Sequence, residues 1–171
     1  AKGWTGGVES VKRVHVAAAV IRDDSGKILI ARRADTQHQG GLWEFPGGKV
    51  EADESVESAL ARELQEELGI VVGAARPLIK VRHDYPDKQV LLDVWEVSQF
   101  SGEPHGAEGQ PLAWVSAKDL LNYEFPAANQ PIVAAARLPG EYLITPEDLE
   151  APALLRGIQK AIAGGIKLIQ L

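Results

Sequence analysis

The chain has 171 residues, 45% apolar and 25% charged, the make-up of one ordinary folded domain with some chain to spare. No cysteine is present, which excludes disulfides and thiolate metal sites, and no apolar run approaches the roughly 20 residues of a membrane span. The net charge of −6 argues against a broad surface for nucleic-acid polymers, and it repels polyanions that arrive without a compensating cation.

Residues 1–10, AKGWTGGVES, lack the basic and apolar regions of a signal peptide and read as an N-terminal extension. Together with the missing cysteines, this fits the expectation of a cytoplasmic protein. Residues 14–22 read as a strand whose alanines permit close packing, residues 23–26 as a turn, and residues 27–31 as the second strand of a hairpin. Arg32 and Arg33 end that strand before a polar loop containing Asp35, Thr36, Gln37 and His38. Residues 40–48, GGLWEFPGG, are rich in Gly and Pro and read as a loop. They are not a phosphate-binding P-loop. That motif needs Gly where Trp43 stands and Ser or Thr where Val50 stands.

Residues 48–70 organise the rest. Asp53 or Ser55 offers an N-cap, a helical period follows, and Gly69 supplies a stop. At about 3.6 residues per turn, Val56, Leu60, Leu64 and Leu68 form an apolar stripe. Glu63, Glu66 and Glu67 fall on an adjacent arc. Glu63 and Glu67 repel as like charges one turn apart, and Glu66 and Glu67 sit where the helix dipole disfavours anions. A divalent cation removes both penalties. Taken alone, three glutamates read as a solvated acidic face.

Beyond the helix, residues 77–83 and 88–97 are strand-like runs around the turn Asp84-Tyr85-Pro86-Asp87. Residues 101–111 form a loop whose one candidate ligand is Glu108. Residues 112–115 read as a short strand, and Ser116 caps a short helix to Leu121. Another helix starts near Pro126 and runs to about residue 138, beginning at Pro131 or kinked there. From residue 140 the pattern is strand (142–145), helix (146 to about 163) and strand (166–171), one βαβ unit.

More than the glutamates lines up along residues 48–70. Gly48, Glu54 six residues on, Arg62-Glu63-Leu64, Glu66-Glu67 and Gly69-Ile70 reproduce every fixed position of the Nudix box, so the chain resembles the Nudix hydrolases. The segments ARRADTQHQGGLWEFPGGKVE, GEPHGAEGQPLAWV and FPAANQPI narrow the resemblance to the MutT subgroup over about residues 14–138. It implies an α/β Nudix fold, a mixed β-sheet sandwiched between α-helices, spanning residues 11–139. It also implies Mg²⁺-dependent hydrolysis, with Mn²⁺ as a substitute, of 8-oxo-dGTP to 8-oxo-dGMP and pyrophosphate by a monomer. ADP-ribose or an unmodified dNTP is the alternative substrate.

Carried over residue by residue, the metal would be held by Glu63, Glu66, Glu67 and Glu108 with carbonyls of Gly47 and Gly48. Glu63 would take the proton from water, with Glu108 as competitor, and Arg62 would orient the carboxylates by pairing with Glu54 or Glu66. Arg33 and His38 fall on phosphate- and sugar-side positions. Phe45 and its neighbours Glu44, Pro46 and Gly47 fall on the nucleotide pocket, and Asn129 on the residue that reads the purine edge. YLITPE, a helix and GGIKLIQL in residues 140–171 resemble the opening of a thiamine-phosphate-synthase-like (TenI-type) barrel.

Overall fold

The computed structural model describes residues 12–36, 39–141, 143–146 and 150–170, which form two compact units joined near residues 136–137. In the first unit the central strand is β1 (Lys12–Arg22). Strand β2 (Ile28–Arg32) returns antiparallel beside its end, Ile21 opposite Leu29, as the hairpin reading requires. Residues 40–48 are more than a loop. Trp43–Glu44 (β3) pairs with β2, and Gly47–Lys49 (β4) pairs with β1 through Ala17 opposite Gly48. Glycine is depleted in strands, so the pairing of β4 comes from the neighbouring β1 and not from local preference.

Helix α1 (Val56–Leu68) follows. Ser55, not Asp53, is its N-cap, accepting from the Ser58 N–H, while Asp53 adopts a positive φ of 65° in the turn before it. Gly69, at φ 69°, ends the helix in the left-handed conformation that Gly adopts without steric penalty. Strands β5 (Val71–Asp84) and β6 (Lys88–Ser101) form a long antiparallel hairpin. Strand β5 begins six residues before the expected start at Pro77, because register shifts near residues 72–75 and at Pro77 absorb its irregularities. Strand β6 also runs parallel to β1 along its other edge, which makes the sheet mixed. Strand β7 (Leu112–Val115) pairs with β2.

Alternation along β1 divides the core in two. Ala17, Ala19 and Ile21 meet Leu60, Leu64 and Leu68 of α1 on one face. Ala18 and Val20 meet Leu120, Phe125, Ile132 and Val133 on the other. The second face is covered by 3₁₀ turns at Asp119–Asn122 and Ala127–Asn129 and by helix α2 (Gln130–Arg137). The expected helix from residue 126 is thus split, with α2 starting just before Pro131. A proline in the first helical turn removes an N–H that has no partner anyway.

In the second unit, β8 (Leu143–Ile144) pairs in parallel with β9 (Ile169–Gln170) around helix α3 (Ala151–Ala163), no residue of which is buried. Helix α3 starts later than the sequence pattern suggests. Tyr142 and residues 147–149 and 171 fall outside the described residues. Among the described residues no helix is long and apolar enough to cross a membrane.

Leu64 is fully buried between α1 and the sheet, directly behind the acidic arc. Leu64→Ala should cost about 2–5 kcal/mol, read from urea unfolding. A loss under about 1 kcal/mol would mean that α1 is not anchored as described.

Candidate active site

The site is built where β4 passes under α1. A Cβ at Gly47, whose φ is 143°, would fall on the Ala17 carbonyl, and one at Gly48 would fall on the Glu63 carboxylate. Gly47 thus lets β4 approach β1 this closely, and Gly48 leaves room for the Glu63 carboxylate. Glu67 reaches the same turn, its Oε2 accepting from the Gly47 N–H at 3.2 Å. Two of the three predicted helix glutamates therefore converge on Gly47 and Gly48. Glu66 lies apart, its side chain 62% exposed and 3.5 Å from Arg62.

Arg62 orders this arc. Its Nε and Nη2 donate to the two Glu54 oxygens at 3.0 Å each, Nη1 donates to Glu63 at 2.8 Å, and Nη2 also reaches the Lys49 carbonyl at 3.0 Å. The expected pairing with Glu54 is present, and the guanidinium additionally ties α1 to β4. Its hydrogen bond holds the Glu54 carboxyl below its ordinary value, aided by the Glu51 N–H.

Glu67 is perturbed the other way. Burial, reinforced by the charges of Glu44, Glu63 and Glu108, pushes its carboxyl up to about 7, against the Gly47 N–H that favours the anion. Glu108 itself is exposed, on a loop whose Ala107 N–H and Gln110 amide both donate to the Glu67 carbonyl. Among the described residues no three acidic or histidine side chains enclose a single point tightly enough to cage a metal. A hard divalent cation does not require a cage. Magnesium keeps several waters and takes one or two carboxylates, and carboxylates beside backbone carbonyls, only partly offset by Arg62, have the chemistry to hold it.

The nucleotide-side residues meet in a neighbouring cleft of about 360 Å³, lined among others by Arg33, Glu44, Phe45, Gly47, Gly48 and Asn129. Arg33 pairs with Glu44, whose carboxyl is raised by burial despite that partner. Phe45 stacks on Phe125 with ring centres 5.4 Å apart. Pro46 does not line the cleft; it is buried, its carbonyl accepting from the Ala19 N–H at 2.8 Å. His38 lies outside the described residues. The sequence reading missed Lys12, Lys49, Tyr85 and Lys88, which also line the cleft. Their only signal was position at strand ends and in the turn at Tyr85, and only the sheet brings those ends together.

The Glu67 shift has a definite sign. A carboxyl whose folded value is raised contributes stability that is present below its unfolded value, near 4.5, and lost as pH rises through about 7. Metal-free protein should therefore gain from Glu67→Gln at pH 8, by a few degrees in Tm, and gain little at pH 4. Equal melting differences at the two pH values would count against this burial of the charge.

Residues 17–135 match the family model described as NUDIX domain. The chain is 41% identical to the 8-oxo-dGTP diphosphatase of Escherichia coli K12, covering 72% of this chain and 96% of that protein. It is equally 41% identical to the CTP pyrophosphohydrolase of the same organism, over 73% and 92%. Among solved structures it resembles a MutT from work on Aliivibrio salmonicida and Vibrio cholerae, at 45% identity and a TM-score of 0.65, over 74% of this chain and 98% of that one. Box, fold and relatives coincide over the same residues, and the chain belongs to the NUDIX domain family.

Proposed function

We propose that this Nudix hydrolase converts 8-oxo-dGTP to 8-oxo-dGMP and pyrophosphate with Mg²⁺, for which Mn²⁺ substitutes. The observation that carries the reading is continuity. Asn129 and the Gly47–Gly48 turn line one cleft, and the same turn touches Glu63 and Glu67. A nucleotide whose base meets Asn129 would thus extend its phosphates toward the carboxylates. Lys12, Arg33, Lys49 and Lys88 offset Glu44 along that path, giving a polyphosphate a locally positive lining in a chain of net charge −6.

Glu63, Glu66, Glu67 and Glu108, with the carbonyls of Gly47 and Gly48, would hold the metal. When bound, a divalent cation neutralises the phosphate oxygens and the charge that develops at the transition state. Glu63, oriented by Arg62, takes the proton from the attacking water, with Glu108 as the competing base. Arg33 exchanges Glu44 for a phosphate oxygen, and His38 attends the sugar side. We further take the enzyme to act on free nucleotides as a cytoplasmic monomer, with residues 11–139 as the catalytic domain. Residues 140–171 are the opening of a barrel-like domain of the thiamine-phosphate-synthase (TenI) type and take no part in catalysis. Cutting the chain after Pro139 should leave kcat within about twofold.

Base choice rests on Asn129. Its amide offers a carbonyl oxygen and an NH₂ group side by side, so it can accept from N7–H of 8-oxoguanine while donating to O6. Ordinary guanine has no N7–H and leaves the carbonyl unpaired. A second reading, an unmodified nucleotide such as CTP, is favoured by the equal similarity to the CTP pyrophosphohydrolase.

Turnover of 8-oxo-dGTP, dGTP, CTP and ADP-ribose, with product identification, separates the two. Asn129→Ala should reduce the preference for 8-oxo-dGTP over dGTP by at least about tenfold, roughly 1.4 kcal/mol. An unchanged preference would remove Asn129 from base reading. Glu67→Gln, or excess EDTA with the wild type, should nearly abolish turnover without unfolding the protein. Full activity under either condition would sink the metal-dependent reading.

A further inference from the structure

Arg22, at the end of β1, touches neither the cleft nor the acidic arc, yet it joins the two walls of the cleft. Val14, Val16 and Ala18 of β1 line one wall, and Asn129 and Ile132 line the other. The Arg22 Nε donates to Glu96 Oε1 at 2.5 Å, and its Nη2 donates to the Ala136 carbonyl at 2.8 Å. Ala136 is fully buried in the last turn of α2, where carbonyls have no intrahelical donor. Glu96 is 8% exposed on β6, and its second oxygen is taken by Arg76.

We infer that Arg22 is a positioning residue for nucleoside binding. By pinning the C-terminal end of α2 to β1 and β6, it sets how far Asn129 and Ile132 stand from the β1 wall. The inference rests on the reading that this cleft holds the nucleoside. Two features make the role specific. The planar fork satisfies two acceptors in fixed directions at once, which a lysine cannot reproduce. Its described contacts lie on the α2 face of the sheet and reach neither α1 nor β4, so the chemical step should not feel its loss. Arg76 provides an internal control. It pairs with the same buried carboxylate from an exposed position but has no described contact with α2.

The experiment measures the affinity of the full chain for 8-oxo-dGMP, dGMP and CMP by calorimetry, and kcat and KM for the corresponding triphosphates. The variants are Arg22→Lys, Arg76→Met, and the double change Arg22→Met with Glu96→Leu. The double change exchanges the buried ion pair for apolar groups, so the chain stays folded if a lone charge proves too costly. Folded Arg22 variants should bind the preferred monophosphate at least about fivefold more weakly and raise KM to match, with kcat within about twofold and Arg76→Met like wild type. Unchanged affinity, an equal loss in Arg76→Met, or a matching fall in kcat would each overturn the inference. If wild type binds none of the three monophosphates, the cleft reading itself fails and takes the inference with it.

Discussion

The Glu63 carboxylate can lie against β4 because residue 48 carries no side chain, and β4 can lie against β1 because residue 47 carries none. A Cβ at either position would occupy space already filled by the Ala17 carbonyl or the Glu63 carboxylate. This steric constraint places a helix face directly on the end of a cleft whose lining comes from the opposite face of the sheet. The Gly47 N–H then serves as a donor to Glu67, and the backbone of the turn becomes part of both compartments.

Electrostatics follows from that contact. Burying Glu67 within reach of the charges of Glu44, Glu63 and Glu108 is unfavourable in the metal-free protein, and its proton affinity is raised. Arg62 relieves part of the repulsion by binding Glu54, Glu63 and the Lys49 carbonyl together. What remains is an acidic pole beside a cleft carrying several cationic side chains. A polyphosphate with a divalent cation complements both poles at once, whereas either partner alone complements one.

The same sheet supports two further charge networks of different character. Glu96, shared between Arg22 and Arg76, binds β1, β5 and β6 to the end of α2. Asp93, 2% exposed, receives Trp95 Nε1 and Lys80 on the α1 face, with His15 Nε2 at 3.5 Å. A buried carboxylate is retained only when such donors surround it, since removing one partner exposes the full desolvation penalty. Both lie next to the strands that carry the cleft and hold them in register.

Much of α1 was legible in the chain itself, because local chemistry governs it. The apolar stripe, the caps and the acidic arc all follow from spacing along one continuous helix, and α1 starts and stops at residues capable of capping it. The alanines of β1 likewise announced a strand with close packing, and Ala17, Ala18 and Ala19 are buried. Other features depended on partners distant in sequence. The Gly-rich residues 40–48 pair as β3 and β4 only because β1 and β2 offer edges, and the lysines of the cleft meet only when the ends of β1 and β6 are brought side by side. The contrast between exposed Glu66 and half-buried Glu67, identical residues one position apart, was undecidable from the helix alone. It was settled by where β4 and the 101–111 loop approach, since burial and hydrogen bonding are properties of the surroundings and not of the residue.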